Sequence, residues 1–87
     1  MASVSIPLLL KDVTGGARRA DVEGRTLAEV VAALEVIHPG IESRLRKGDA
    51  PAPMVAFVVD GKIAAAGFDT PVGPQSEVNI LPSFGGG

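Results

Sequence analysis

The chain has no cysteine, tryptophan or tyrosine in its 87 residues, and each absence closes a class of function. Without cysteine there is no disulfide framework, no thiolate zinc site and no thiol nucleophile. Phe57, Phe68 and Phe84 are the only aromatic residues, too few for a platform on which nucleic-acid bases stack. His38 is the only histidine. With no cysteine or paired carboxylates beside it, it cannot build a metal site, and at the end of a helix it reads as a cap. The net charge is -2 at pH 7, without the basic stripe that marks a nucleic-acid binder. No apolar run approaches the roughly 20 residues that cross a bilayer. The first residues carry no basic segment followed by an apolar one, so no signal peptide is read. The expectation is a cytoplasmic protein with no nucleic-acid and no membrane partner.

Catalytic patterns are equally scarce. Ser5, Ser43, Ser76 and Ser83 have no base beside them, so no hydrolase triad assembles. Gly15-Gly16 and Gly67 are not followed by the Lys-Ser/Thr of a phosphate loop and read as turns. Arg44, Arg46 and Lys47 form a small basic cluster, read as a solvated face or as a dock for an acidic partner groove. Arg18 and Arg19 present the same choice. No enzyme active site can be built from these residues.

What is present organises one small domain. Hydrophobic residues make up 46% of the chain, and a domain of this size buries about 60–65% of its unfolded surface. Val4, Ile6, Leu8 and Leu10 alternate with Ser3, Ser5, Pro7 and Leu9, the period of a half-buried strand. Residues 12–16 are turn chemistry, and residues 17–22 return as a second strand. Thr26 is an N-cap with Glu29 three residues on, a capping box. Leu27, Val30, Val31, Leu34 and Ile37 then form an apolar helical stripe, ended by His38-Pro39-Gly40. Residues 41–47 add a short helical turn, and residues 48–53 read as a loop. Residues 54–59 form a strand, Asp60-Gly61 is a two-residue hairpin turn, and residues 62–65 are its partner. Residues 66–75 read as an irregular crossover. Residues 77–81 are the last strand, with Val78 and Ile80 facing inward and Pro82 breaking it.

The order is β-β-α-β-β-β. One main helix across a mixed sheet of four to five strands is an α+β layer solution. The first and last strands are separated by the helix and are expected to pair in parallel. That arrangement is the β-grasp, or ubiquitin-like, fold. Pro7 conflicts with it, because a central strand should carry no proline, and a bulge there would resolve the conflict. Residues 1–82 are read as the domain and residues 83–87 as a flexible Gly-rich tail.

The sequence closes on Leu81-Pro82-Ser83-Phe84-Gly85-Gly86-Gly87. A tail without Cβ atoms can thread into a narrow site, and glycine tolerates φ values that other residues avoid. The working group would then be a main-chain carboxylate. The alternative is a frayed or linker-like end.

The whole chain resembles the ThiS/MoaD family of sulfur-carrier proteins. The likeness rests on the β-grasp order, the Thr26-Leu27 helix start, the Val59-Asp60-Gly61 hairpin, and Val78-Asn79-Ile80-Leu81-Pro82 running into glycines. Val4-Ser5-Ile6-Pro7 and Thr14-Gly15-Gly16 bring it nearest the CysO-type carriers that deliver sulfide for cysteine synthesis. Two features depart from the family pattern. The chain ends in three glycines rather than two, so either Gly87 is the working terminus or one residue is trimmed. Pro74-Gln75-Ser76-Glu77 also replaces the usual Asp/Gly-rich segment before the last strand.

The resemblance implies a carrier rather than an enzyme, with no bound cofactor. An E1-like adenylating enzyme, consuming ATP, would join the terminal carboxylate to AMP. A persulfide or sulfide donor would displace AMP and leave a thiocarboxylate. Gly87 and Gly86 would carry that chemistry, and Gly85, Phe84, Pro82 and Leu81 would contact the partner, Phe84 as an aromatic anchor. The acceptor would be a cysteine-synthase-like enzyme. The thiamine-thiazole and molybdopterin pathways, a ubiquitin-like modifier forming isopeptide bonds, and a plain interaction module stand as alternatives.

Overall fold

The structure is a computed structural model that describes residues 1–83. The elements run β1 (Ala2–Ser5), a 3-10 turn (Leu8–Leu10), α1 (Lys11–Thr14), β2 (Arg19–Val22), α2 (Leu27–Ile37), α3 (Ile41–Leu45), β3 (Arg46–Lys47), β4 (Ala50–Pro51), β5 (Val55–Val59), β6 (Lys62–Ile63), a second 3-10 turn (Gly67–Asp69) and β7 (Glu77–Pro82). Five strands form one sheet in the order β2-β1-β7-β5-β6. β1 and β7 are parallel, with Val4 opposite Val78, and the other neighbours are antiparallel. This is the β-grasp arrangement expected from the element order.

Alternation decides which side of the sheet is covered. Val4, Phe57, Val78 and Ile80 point to one face, where Leu27, Val30, Val31 and Leu34 of α2 and Ile41 and Leu45 of α3 close over them. Each such side chain contributes about 1.5–3 kcal/mol by leaving water. Phe57 and Phe68 meet edge-to-face, with ring centroids 5.5 Å apart. Ile37, expected in the helical stripe, is half exposed, because α2 ends there and the chain turns away.

The helix starts as its capping residues require. The Glu29 amide donates to Thr26 Oγ1 at 3.2 Å, while the Arg25 amide donates to Glu29 Oε1 at 3.0 Å. The reciprocal half of the box therefore lands one residue before the cap. His38 is the C-cap. Glu35 then ties the end of α2 to the start of α3, accepting from the Gly40 amide at 2.9 Å and the Glu42 amide at 2.8 Å. These two donors hold its carboxyl below the usual range.

Several expectations are corrected. The first strand does not reach Leu10. It stops at Ser5, Pro7 stands outside the ladder at φ -75°, and the Leu10 amide donates to the Pro7 carbonyl in a 3-10 turn. Proline has no N–H for the sheet and its ring fixes φ, so the ladder ends before it; no bulge is needed. Leu8, expected to point inward, is exposed. The turn at residues 12–16 is a helical turn closed by Gly15 at φ 68°. The loop at residues 48–53 contains the two-residue hairpin of β3 and β4.

Pro82 does not break the last strand but sits within it, opposite Val55. Ser83, one residue on, donates to the Met54 carbonyl at 2.9 Å. Position 82 is thus a non-hydrogen-bonded place in the ladder, and β1 has already ended on its other side, so the missing donor strands no acceptor.

Gly24 is needed for space rather than for φ. A Cβ there would lie 2.9 Å from the Val30 amide nitrogen and 3.0 Å from Val30 Cγ2. Gly24→Ala is therefore expected to push α2 off the sheet and cost about 1–3 kcal/mol, measured by urea denaturation against the parent chain.

Candidate functional site

The site is the end of β7. This strand is interior to the sheet, with β1 on one side and β5 on the other. It outruns β1: the parallel pairing stops at Asn79, while the pairing with β5 continues to Pro82. A well-anchored strand therefore delivers the chain to the rim of the domain at Ser83. Of the residues expected to act, Leu81 and Pro82 lie here, and both are exposed. Phe84, Gly85, Gly86 and Gly87 lie outside the described residues.

The start of β7 is fixed by Asp60, in the hairpin between β5 and β6. Asp60 has φ 50° and Gly61 φ 82°, the left-handed pair that a two-residue type I′ turn requires. Its carboxylate accepts from the Ser76 hydroxyl at 2.7 Å and from the Glu77 amide at 2.9 Å. Ser76 Oγ in turn accepts from the Gly73 amide at 2.8 Å. Ser76 is buried, so this network fixes the entry to the last strand. The Pro74-Gln75-Ser76-Glu77 segment is more than an altered turn, because its serine supplies the link.

The sheet face opposite α2 is uncovered by any described element. Across it run Ala56 opposite Leu81 and Val58 opposite Ile63, one residue out of phase with the buried set. Leu81 is 44% and Ile63 79% exposed. These apolar side chains lie on the same strands that lead to the tail. Sequence reasoning found Leu81 but missed Ala56, Val58 and Ile63. The alternation through the Asp60-Gly61 hairpin was the signal that could have found them.

The basic cluster divides. Arg44 pairs with Asp12 at 2.6 Å. Arg46 stands 4.4 Å above the Phe68 ring and 3.7–3.9 Å from Asp49 and Glu42. Arg19 bonds to the Ser3 hydroxyl. These arginines hold local structure and do not converge on one surface. Among the described residues no group of three or more His, Asp or Glu side chains could hold a metal, and no helix is long and apolar enough to cross a membrane.

The pH dependence of the Asp60 network has a definite sign. The Ser76 hydroxyl first, and the Glu77 amide second, hold the Asp60 carboxyl below its ordinary 3.8. A carboxyl lowered on folding stabilises the fold above its unfolded value, and that contribution is lost as pH falls through the folded value. Asp60→Asn keeps the left-handed backbone, which asparagine tolerates, and removes the charge. The variant should be less stable near neutral pH and should lose less stability than the parent below pH 3.8, as read from denaturation midpoints across a pH series.

Comparison with known proteins agrees with this geometry. The sulfur carrier protein CysO of Mycobacterium tuberculosis is 33% identical over 90 residues, covering 98% of this chain and 97% of that protein. The crystal structure of the BexX/CysO complex of Amycolatopsis orientalis superposes with a TM-score of 0.91 at 29% identity, over 100% of both chains. SAMP1 of Haloferax volcanii, a small archaeal modifier protein, superposes with a TM-score of 0.73 at 27% identity, over 99% of this chain and 98% of that one. The ThiS family model matches residues 5–87. With a β-grasp body, a last strand built into the middle of the sheet and a family match running from the first strand into the terminal glycines, the chain belongs to the ThiS family.

Proposed function

We propose that this chain is a sulfur carrier serving cysteine synthesis, with its cargo on the C-terminal carboxylate of Gly87. The observation that supports this most is the placement of β7: an interior strand runs straight to the rim and into Ser83-Phe84-Gly85-Gly86-Gly87. Residues 1–82 act as the docking body and residues 83–87 as the reactive tail. Five residues reach roughly 17 Å when extended, enough for the body to stay outside while the tail enters a partner's site.

The chemistry follows from the weakness of a carboxylate as an electrophile. An E1-like adenylating enzyme transfers AMP from ATP to a carboxylate oxygen and releases pyrophosphate. Sulfide then attacks the acyl carbon, AMP leaves with the former carboxylate oxygen, and a thiocarboxylate remains. Splitting the reaction in this way supplies a good leaving group. A cysteine-synthase-like enzyme accepts the sulfur. The chain contributes no acid or base to these steps and binds no cofactor of its own. Gly85 and Gly86 let the partner close on the main chain, and Phe84 anchors the tail in the partner.

Ordering a Gly-rich tail is entropically costly, so the body must contribute affinity. The exposed sheet face of Ala56, Val58, Ile63 and Leu81 is suited to that contact. A second reading, as a protein modifier, is favoured by the likeness to an archaeal modifier protein. The same adenylated tail would then form isopeptide bonds.

Intact mass spectrometry separates these readings. After incubation with ATP, sulfide and an E1-like enzyme from the same organism, the chain should exchange one terminal oxygen for sulfur. A chain lacking Gly86 and Gly87 should not. A ladder of covalent conjugates would instead favour the modifier. An unchanged mass, with the enzyme active on another carrier and a chain ending at Gly86 equally inert, would overturn both. Ile63→Glu should weaken binding to the adenylating enzyme by about tenfold or more, or roughly 1.4 kcal/mol, in calorimetric titration. Its thermal midpoint should stay unchanged, because Ile63 is 79% exposed.

A further inference from the structure

An apolar groove of about 330 Å³ lies beside the point where β7 leaves the sheet. Leu9 and Leu10 form one wall, Pro53, Met54 and Val55 the other, and Arg44 stands at the rim. Leu9 is 41% and Met54 52% exposed. Room is not limiting, since an apolar cavity of about 150 Å³ already accommodates benzene. Arg44 is engaged elsewhere, donating to Asp12 and to the Leu9 carbonyl, so the groove presents apolar surface rather than a free charge.

The register of β7 identifies an occupant. Pro82 lies opposite Val55, and the Ser83 amide donates to the Met54 carbonyl. The next residue in the chain is Phe84, which therefore begins its course beside Pro53 and Met54. Side chains alternate along an extended segment. Val78 and Ile80 point to the α2 side of the sheet, and Pro82 and Phe84 share their parity. The groove lies on that same side, since Leu10 and Val55 belong to the buried core. Both the position and the parity of Phe84 thus aim its ring at the groove.

We propose that in the free protein this groove holds the side chain of Phe84. The chain's own aromatic residue then covers the exposed parts of Leu9 and Met54. Burying a phenyl ring against such a surface is favourable, and the entropy of ordering is small because only one residue beyond the ladder must be fixed. The consequence rests on the carrier reading: a partner that takes the tail must first draw Phe84 from the groove, so tail availability becomes an equilibrium set by the body. The geometry itself does not depend on that reading.

The test uses the full chain in isolation, which keeps it separate from any failure of sulfur transfer. In solution NMR, the Phe84 ring should show nuclear Overhauser contacts to the methyl groups of Leu9 and Met54. The Met54 methyl should carry a ring-current shift that disappears in Phe84→Ala. Leu9→Gln combined with Met54→Gln should abolish the Phe84 contacts while leaving those between Phe57 and Phe68 intact. Absence of the ring contacts in the parent chain would overturn the proposal. So would contacts appearing only between differently labelled copies, because a second molecule would then occupy the groove.

Discussion

The structure depends on one pairing: β7 lies between β1, parallel to it, and β5, antiparallel to it. The two ends of the chain thereby meet in the middle of the sheet, with Val4 beside Val78. Their side chains form the floor on which α2 closes with Val30, Val31 and Leu34. A long crossover is obligatory for parallel neighbours, and α2 is that crossover's main body. The last strand is therefore held on both sides along its first half and on one side along its second. Such a strand does not fray easily, and a tail attached to it inherits a fixed origin.

This arrangement separates two tasks that an enzyme combines. Rigidity belongs to the body, where every buried side-chain nitrogen and oxygen among the described residues has a hydrogen-bond partner. Reactivity belongs to a main-chain carboxylate that activation must come from outside to make electrophilic. The domain's contribution is to present that group and to be recognised. The apolar row of Ala56, Val58, Ile63 and Leu81 serves recognition because it shares its strands with the tail's origin. Contact with that face and capture of the tail are then geometrically linked.

Electrostatics has a local role here. Asp60 fastens the entry of β7 through Ser76 and the Glu77 amide, and Glu35 fastens the elbow between α2 and α3. The arginines are distributed among separate partners, so the domain has no strong field of one sign. Association with a partner therefore draws more on apolar contact than on electrostatic steering.

The amino-acid pattern alone determined the helix from Thr26 to His38, the Asp60-Gly61 hairpin, the buried set on β5 and β7, and the element order that makes a β-grasp. Each of these is written in local chemistry: a cap, a left-handed turn, or a period of two or of 3.6 residues. The Gly-rich end, with Leu81 and Pro82 before it, was legible for the same reason. Only the tertiary structure decided the rest. Alternation from Val4 to Leu10 reads as one strand, yet the ladder stops at Ser5, because Pro7 cannot donate. Pro82 reads as a breaker, yet β5 accepts it at a position where no donor is required. Ser76 reads as a turn residue until Asp60 is brought beside it from 16 positions away. Gly24 reads as a loop glycine until α2 packs against it. In each case the deciding fact is which backbone groups and surfaces meet across the sheet, and that depends on long-range pairing rather than on any neighbouring residue.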